Sequence, residues 1–325
     1  YLILRFLCFF LCMACLPACG KSTKDAGCLS IAVIPMGTTH EFWKSIHAGA
    51  VAAARETGNV EIIWKGPLKE DDRDEQLRIV EDFIGTRVDA LVFSPMDDRT
   101  FIRPVMDAKR AGIPTVLVNS QLQGDYHISF VATDNRRGGA LGAERMGEIT
   151  GGKAKLLIVR LSEADVTTMD RVKGFRDTIV AKFPGIEILS DNQYAGVTTE
   201  SAFRTGENLL NRYPETTAIF TPNESSTFGF LRMLQDRGLA GKVRFVGFDS
   251  SEKLIEALGK GEISGLVIQN PFQMGYLGVK TAVAYIRGET VEKRIDTGVI
   301  IATPENMTVP EVAKLLRPDL SILEE

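Results

Sequence analysis

Histidine is the first residue type to test for chemistry in this sequence, because imidazole binds metal ions and transfers protons near neutral pH. The chain has three histidines, and two of them, His40 and His47, lie in one predicted helix. A separation of seven helical residues spans about 10 Å, whereas two imidazoles that share a zinc ion must each approach it to about 2 Å. Glu41 therefore does not complete a zinc-protease motif, and His127 stands alone near a predicted strand. We expect no metal site and no other cofactor.

Nucleophilic and phosphate-binding motifs are also missing from the sequence. It has no Gly-x-Ser-x-Gly elbow, and residues 138–144 (GGALGAE) lack the G-x-G-x-x-G spacing of a dinucleotide-binding loop. Residues 20–23 (GKST) would need a glycine at position 15 to form a phosphate-binding loop, but Cys15 stands there. These observations predict that the protein is not an enzyme.

Polar side chains follow most of the apolar runs in the sequence. These segments are rich in Asn, Asp, Ser or Gln, and they lie at residues 35–43, 94–98, 119–121, 132–135, 221–226, 248–252 and 269–273. Any one of them can be explained as a turn or a helix cap. In an open parallel sheet, however, ligands bind outside the carboxyl ends of the strands. Their shared position therefore favours a binding site for a polar ligand.

The elements that position these segments are alternating strands and helices. Ten short apolar runs predict strands at residues 31–34, 60–64, 89–93, 114–118, 128–132, 155–159, 187–189, 217–220, 244–248 and 265–269. Segments with helical spacing separate most of them, such as residues 74–87 and 226–238. Continuous apolar strands in this rhythm indicate parallel sheets covered on both faces. With 325 residues, we expect an α/β protein of two doubly wound lobes, and an eight-fold barrel is the alternative.

The charge of the chain argues against nucleic acid as a partner. The net charge is −4, and the Lys and Arg residues are scattered evenly rather than clustered on one segment.

The N-terminal segment predicts export. All five cysteines lie in the first 28 residues, where Arg5 precedes an apolar stretch that is short for a membrane span. Residues 16–19 (LPAC) resemble a bacterial lipobox, so we predict a signal peptide at 1–18, lipidation of Cys19 and a polar tether at 19–28. Cys15 is a weaker candidate for lipidation, and an apolar N-terminal helix of the fold is the alternative to a signal. Processing would leave Cys28 without a disulfide partner.

Longer strings resemble the ribose/galactose-type periplasmic binding proteins, the substrate-capturing subunits of ABC importers. They include IAVIPMGTTHEFWKSIHAGA, FVATDNRRGGALGAE and AIFTPNESSTFGFLRML, and the similarity extends from residue 31 to residue 301. The resemblance implies two lobes joined by three hinge crossings, with residues 29–133 and 270–299 in the first lobe and residues 134–269 and 300–325 in the second. The hinge residues would be Thr133, Asp134, Gln269 and Asn270, with a third crossing near 298–300.

The resemblance also implies the ligand contacts. Phe42 and Trp43 match the family's aromatic pair against a sugar ring, at a helix start where Thr38 and Glu41 would form a capping box. The alternative is that one of the rings belongs to the core. The matching polar positions are His40, Ser94 and Asn119 in the first lobe and Arg171, Asn223, Asp249 and Gln269 in the second.

Some of these positions have competing interpretations. Arg171 could instead pair with Asp170 or Asp177, and both Asn223 and Asp249 are candidates for helix caps. His40, Glu41, Ser94 and the Asn119-Ser120 pair depart from the ribose pattern, whereas the second-lobe set keeps it. The departures favour another pentose, a hexose, a polyol or a furanone-type signal over ribose.

The implied function is an extracytoplasmic lipoprotein that captures a small sugar or polyol by hinge closure and delivers it to the permease of an ABC importer. We expect a monomer that contacts the membrane through its lipid anchor. The alternative is a periplasmic sensor that passes a sugar-like signal to a membrane receptor or histidine kinase. A lac-repressor-type regulator shares this fold, but an export signal replaces the DNA-binding helices that such a regulator needs at its N-terminus.

Overall fold

The protein folds into two α/β lobes, each built on a six-stranded sheet. The computed structural model describes residues 27–324, so the predicted signal peptide, Cys19 and most of the tether lie outside the described residues. The first sheet has the strand order β11-β5-β4-β3-β1-β2. Its strands are β1 (Leu29–Ile34), β2 (Val60–Trp64), β3 (Ala90–Phe93), β4 (Thr115–Val118), β5 (Ser129–Ala132) and β11 (Arg294–Asp296).

The second sheet repeats this arrangement with the order β12-β10-β9-β8-β6-β7. Its strands are β6 (Ala154–Arg160), β7 (Ile186–Tyr194), β8 (Ala218–Phe220), β9 (Arg244–Phe248), β10 (Gly265–Gln269) and β12 (Val299–Ala302). All pairings are parallel except β10 with β12. Within the described residues the ten helices are α1 (Glu41–Thr57), α2 (Arg73–Thr86), α3 (Ile102–Arg110), α4 (Asn135–Thr150), α5 (Val166–Lys182), α6 (Thr199–Arg212), α7 (Glu224–Asp236), α8 (Glu252–Gly259), α9 (Pro271–Ile286) and α10 (Pro310–Leu316).

All ten apolar runs form strands, as predicted. The structure has the predicted pair of doubly wound lobes and not the alternative eight-fold barrel. Central strands such as β3 and β4 are buried along their whole length, as expected of strands covered on both faces. Two strands were missed, β11 and β12. Both are short and lie at sheet edges, and exposed polar residues such as Arg294 and Asp296 interrupt the apolar pattern of β11.

The chain passes between the sheets three times. Thr133 and Asp134 connect β5 to α4, Asn270 connects β10 to α9, and Thr297 and Gly298 connect β11 to β12. Helix α4 packs on β9 and β10, and α9 packs on β3 and β4, so each helix belongs to the lobe that it enters. The third crossing lies at residues 297–298, slightly before the predicted position, because Ile300 is already within β12.

The crossing segments are hydrogen-bonded to one another. The Asp296 carboxylate accepts hydrogen bonds from the backbone N–H groups of Asp134 at 3.2 Å and Gly298 at 3.0 Å. Arg294 donates to the carbonyl oxygen of Thr133 at 3.0 Å. Two of the three connections are therefore tied together beside the cleft.

The C-terminal residues return to the first lobe. Helix α10 packs on β10 and β12 of the second lobe, but the turn at Ser321–Leu323 lies against α1. Arg55 of α1 donates a hydrogen bond to the carbonyl oxygen of Ile322 at 3.1 Å. The predicted assignment of residues 300–325 to the second lobe therefore does not hold for this turn. Between residues 27 and 324, none of the helices combines the length and apolar character needed to cross a membrane.

Candidate functional site

A cavity of about 330 Å³ lies between the two lobes, and both lobes line it. Most of the lining residues follow strands, at the carboxyl ends of the parallel sheets, as the sequence predicted. Eight of the nine predicted ligand-binding residues line it, and these are His40, Phe42, Trp43, Asn119, Arg171, Asn223, Asp249 and Gln269. The exception is Ser94.

The aromatic pair stands at the start of α1. The rings of Phe42 and Trp43 are perpendicular, with centroids 5.0 Å apart. Trp43 is only 3% exposed and packs in the first-lobe core, yet its indole Nε1–H donates a hydrogen bond to Glu70 Oε1 at 2.6 Å. The two interpretations of this pair are therefore not exclusive, because Trp43 both belongs to the core and lines the cavity.

The predicted capping box at this helix start is wrong. Helix α1 begins at Glu41 with His40 as its N-cap, and the His40 side chain makes no capping hydrogen bond. The Thr38 hydroxyl instead donates to the carbonyl oxygen of Pro67 at 3.3 Å. The first turn of α1 is consequently left with backbone N–H groups that its own flanking residues do not satisfy.

A second-lobe residue supplies the missing acceptor. The Glu224 carboxylate accepts a hydrogen bond from the backbone N–H of Phe42 at 3.3 Å, across the cleft. A negative charge at a helix N-terminus is favourable because it complements the helix dipole. The two lobes are thus in contact around the cavity in this arrangement.

His40 is held by the loop between β2 and α2. Its Nδ1 lies 3.1 Å from Glu70 Oε1. Burial alone would lower the pKa of His40, but the hydrogen bond to Glu70 and the nearby carboxylates of Glu224 and Asp249 raise it to about 9. His40 is therefore a cation at neutral pH, paired with Glu70.

Asn119 and Asp249 occupy equivalent places in the two lobes. Asn119 directly follows β4 with φ 61°, and Asp249 directly follows β9 with φ 67°. The left-handed region is uncommon for residues with a side chain, and Asn and Asp tolerate it better than most. Both strands therefore end in a tight bend that places a polar side chain beside the cavity.

Ser94 supports Asn119 and does not reach the cavity, so this predicted ligand contact is corrected. Ser94 is fully buried, and its hydroxyl accepts a hydrogen bond from Asn119 Nδ2 at 3.3 Å. Its backbone carbonyl accepts another from the buried Gln76 side chain at 2.8 Å. Ser94 therefore lies behind the lining residues, and both its hydroxyl and its carbonyl are already hydrogen-bonded.

Arg171 is held firmly from three sides. Its Nε donates to Asn135 Oδ1 at 2.9 Å and one Nη1–H to the carbonyl oxygen of Pro222 at 2.9 Å, while its guanidinium lies 4.6 Å from the Phe248 ring centre. Arg171 does not pair with Asp170 or Asp177. Both of these carboxylates form ion pairs with Arg136 instead. Arg171 is 3% exposed, and its Nη2 forms no hydrogen bond within residues 27–324.

Asp249 is the centre of the second-lobe polar network. Its Oδ1 accepts from Gln269 Nε2 at 2.6 Å, its Oδ2 accepts from the Glu224 backbone N–H at 3.1 Å, and Arg171 Nη1 lies 3.7 Å away. Burial raises the pKa of Asp249, although Arg171 opposes the increase. Asp249 does not cap α8, whose N-cap is Ser251. Asn223, in contrast, both lines the cavity and caps α7, since its Oδ1 accepts from the Ser226 N–H at 3.2 Å.

Four lining acids, Glu70, Asp71, Asp165 and Glu224, were not among the predicted residues. Glu70 and Asp71 follow β2 and Asp165 follows β6, so the strand-end rule applied to these two strands also identifies them. Glu224 lies in the 221–226 segment, next to Asn223. Among the described residues, no group of three His, Cys, Asp or Glu side chains is arranged to hold a metal ion.

Comparison with known proteins identifies one family. A family model described as a periplasmic binding protein domain matches residues 31–290. A D-ribose/D-allose-binding protein of Pseudomonas aeruginosa is 28% identical over 287 residues, which cover 86% of this chain and 89% of that protein.

Solved structures show the same fold. A carbohydrate transporter solute-binding protein of Agrobacterium radiobacter, in complex with D-arabinose, has a TM-score of 0.85 at 30% identity and covers 89% of this chain and 99% of its own. An ABC transporter solute-binding protein of Agrobacterium vitis with bound D-fucose has a TM-score of 0.85 at 32% identity, covering 89% of this chain and all of its own.

Proposed function

Because this chain belongs to the periplasmic binding protein family, we propose that it captures a small sugar or polyol between its lobes and delivers it to an ABC importer. The observation that carries the proposal is the shared cavity, with an aromatic pair on one side and the Arg171–Asp249 pair on the other. Its volume of about 330 Å³ is small for a ligand pocket and favours a single sugar ring.

The lining groups suit the two kinds of surface on a sugar. The ring faces of Phe42 and Trp43 attract polarised C–H groups, and flat packing on them excludes water. Arg171 offers N–H donors to hydroxyl oxygens, whereas Asp249 and Gln269 offer oxygens that accept hydroxyl hydrogens. The relatives with bound D-arabinose and D-fucose support a carbohydrate ligand.

The two lobes should close around the ligand because each lobe supplies only some of the contacts. A ligand that touches only one lobe gains half of the interactions, so it stabilises the arrangement in which both lobes reach it. The permease would then recognise the closed form. We further propose that the chain is exported and anchored as a monomer through lipidated Cys19.

The test is a thermal-shift screen of the purified protein against pentoses, hexoses and polyols, followed by calorimetry on each hit. The proposal expects at least one compound to raise the melting temperature and to bind with micromolar affinity or better, which requires about 8 kcal/mol. Replacing Arg171 with Ala should weaken that binding by at least about tenfold, since it removes charge-assisted hydrogen bonds. A complete panel without a hit would contradict the proposed function.

A further inference from the structure

More acidic than basic side chains line the cavity. Five carboxylic acids face it, against two guanidinium groups and one imidazole, and the acids are Glu70, Asp71, Asp165, Glu224 and Asp249. One of the two arginines, Arg73, forms an ion pair at 2.8 Å with Asp97, which is not among the lining residues. Arg73 therefore contributes little positive charge to the cavity itself.

Direct ion pairs within the cavity leave three of the acids, Asp71, Asp165 and Glu224, without a basic partner, although His40 attracts Glu224 and Arg171 attracts Asp165 at longer range. His40 neutralises Glu70 at 3.1 Å, and Arg171 neutralises Asp249 at 3.7 Å. Glu224 and Asp165 form no ion pair with any basic side chain in the described part of the chain. Their nearest hydrogen-bond donors are backbone N–H groups, of Phe42 for Glu224 and of Thr168 for Asp165.

An unsatisfied acceptor lies in the same network. Gln269 is 2% exposed and lines the cavity, and its Oε1 has no hydrogen-bond partner within residues 27–324. The bond from Gln269 Nε2 to Asp249 fixes the amide orientation, so the oxygen cannot be exchanged for the nitrogen. Asp249 also accepts from the Glu224 N–H, which places Gln269 and Glu224 on either side of one carboxylate. A buried acceptor of this kind points to a ligand that brings hydrogen-bond donors.

From this geometry we propose that the natural ligand is a sugar or polyol that carries an amino group, bound as an ammonium ion next to Glu224. This inference rests on the proposed function and narrows its ligand class. An ammonium group has three N–H donors and no acceptor, so it complements a cavity with surplus carboxylates and a free amide oxygen. Transfer of a single charge into this cavity is favourable only if it meets the opposite charge, which the Glu224 carboxylate supplies.

The ionisation of Glu224 gives the proposal a second readout. Burial raises the pKa of Glu224 to about 7, and the carboxylate of Asp249 adds to the increase, while His40 opposes it. At neutral pH, Glu224 is therefore partly protonated in this arrangement. A bound cation favours the ionised form, so binding of the ammonium ion should release a proton from this group.

The experiment compares matched pairs that differ in one substituent. Calorimetry at pH 7 would measure D-glucose against D-glucosamine, D-galactose against D-galactosamine, and D-glucitol against 1-amino-1-deoxy-D-glucitol. We expect the amino member of at least one pair to bind about tenfold or more tightly than its hydroxyl partner. Repeating the titration in two buffers with different ionisation enthalpies should show net proton release for the amino ligand.

Two variants assign the effect to Glu224. Glu224→Gln keeps the side-chain shape and an oxygen for the Phe42 N–H, but it removes the charge. It should weaken binding of the amino ligand by about tenfold more than it weakens binding of the matched neutral sugar, and it should abolish proton release. Glu61→Gln, an exposed acid on β2, is the matched control and should change neither quantity.

The outcomes separate this inference from the function on which it rests. Equal or tighter binding of the neutral members overturns the amino-ligand proposal and leaves the carbohydrate-binding function intact. An amino preference that survives in Glu224→Gln also overturns it. Failure of every neutral and amino compound contradicts both.

Discussion

At the scale of single residues, the site depends on side chains that are fixed before any ligand arrives. Arg171 is held by Asn135 and Pro222, and Trp43 is held by Glu70. Buried groups with satisfied hydrogen bonds lose little further freedom on binding, so more of the contact energy appears as affinity. Trp43 is the clearest case, because its indole bridges the core and the loop that carries Glu70.

Trp43→Phe should weaken ligand binding by about tenfold, because the charge-assisted bond to Glu70 is lost while most of the ring packing is kept. It should also remove the ligand-induced change in intrinsic fluorescence. The chain has two tryptophans, and Trp64 is not among the lining residues.

Trp64→Phe is the matched control for this variant. Trp64 stacks on His47, with ring centroids 4.4 Å apart, at a different place in the first lobe. It should retain both the affinity and the fluorescence change. A fluorescence response that survives in Trp43→Phe and disappears in Trp64→Phe would place the ligand elsewhere.

Residue identities in the site were predictable only in part. Strand-end position and family resemblance identified eight of the lining residues, because both can be read from the amino-acid sequence alone. The role of Glu224 was not predictable, since its partner is a backbone N–H 182 positions away and appears only when the lobes meet. Ser94 shows the opposite error, as a strand-end position alone does not tell whether a side chain faces the cavity or supports a neighbour.

At the scale of elements, close helix packing sets the position of the second-lobe site. Helices α4 and α5 approach so closely that a Cβ on Gly174 would lie 2.1 Å from the carbonyl oxygen of Arg136. Asn135 and Arg171, which are hydrogen-bonded to each other, are carried by these same two helices. The glycine contact therefore brings the guanidinium to its place beside the cavity.

Gly174→Ala should lower the free energy of unfolding by roughly 1–3 kcal/mol, because the backbones must separate to admit the methyl group. Ligand affinity should fall as well, since Arg171 moves with α5. Thermal unfolding and calorimetry measure the two effects.

Gly85→Ala is the control, since Gly85 lies near the end of α2 with no atom near its added Cβ. It should be neutral or stabilise by up to about 1 kcal/mol through helix propensity. If Gly174→Ala behaves like Gly85→Ala, the close approach of α4 and α5 does not position Arg171.

Elements were the most predictable level of the structure. Apolar runs of four or five residues mark central strands such as β3 and β4 because these are buried on both faces. Edge strands such as β11 lack that burial and so lack the pattern. The start of α1 was misjudged because its capping acceptor is supplied by the other lobe.

At the scale of the whole molecule, the chain is two similar lobes whose contact is polar and carries titratable groups. His40 and Glu224 face each other's lobes across the cleft, and each has a pKa above its ordinary value here. Burial raises the pKa of Glu224, whereas burial lowers that of His40 and its hydrogen bond to Glu70 of the same lobe, with the carboxylates of Glu224 and Asp249 opposite, raises it. A group whose pKa is raised in one state binds more protons there, so that state loses stability as the pH rises through the shifted pKa. For Glu224, whose pKa is raised mainly by burial, the window runs from 4.5 to about 7. His40 keeps its Glu70 partner when the lobes separate, so it loses only the smaller attraction to Glu224 and Asp249.

The closed fraction of the ligand-free protein should therefore fall as the pH rises from about 5 to about 7, with a smaller further fall up to about 9 as His40 loses its charge. Burial also raises the pKa of Asp165 and Asp249, which act in the same direction. Small-angle scattering gives the radius of gyration, which should increase over this range. In Glu224→Gln the increase below pH 7 should shrink while the part due to His40 remains, and a radius that decreases with pH would contradict the assignment.

The central claim is that one ligand binds in the cavity and touches both lobes. The most direct measurement is a crystal structure of the protein with the tightest carbohydrate from the screen. We predict a sugar ring or chain against Phe42 and Trp43, with oxygens or nitrogens within hydrogen-bond distance of Arg171, Asp249 and Gln269. A ligand bound on the outer surface of one lobe, with the cavity filled by water, would contradict the account.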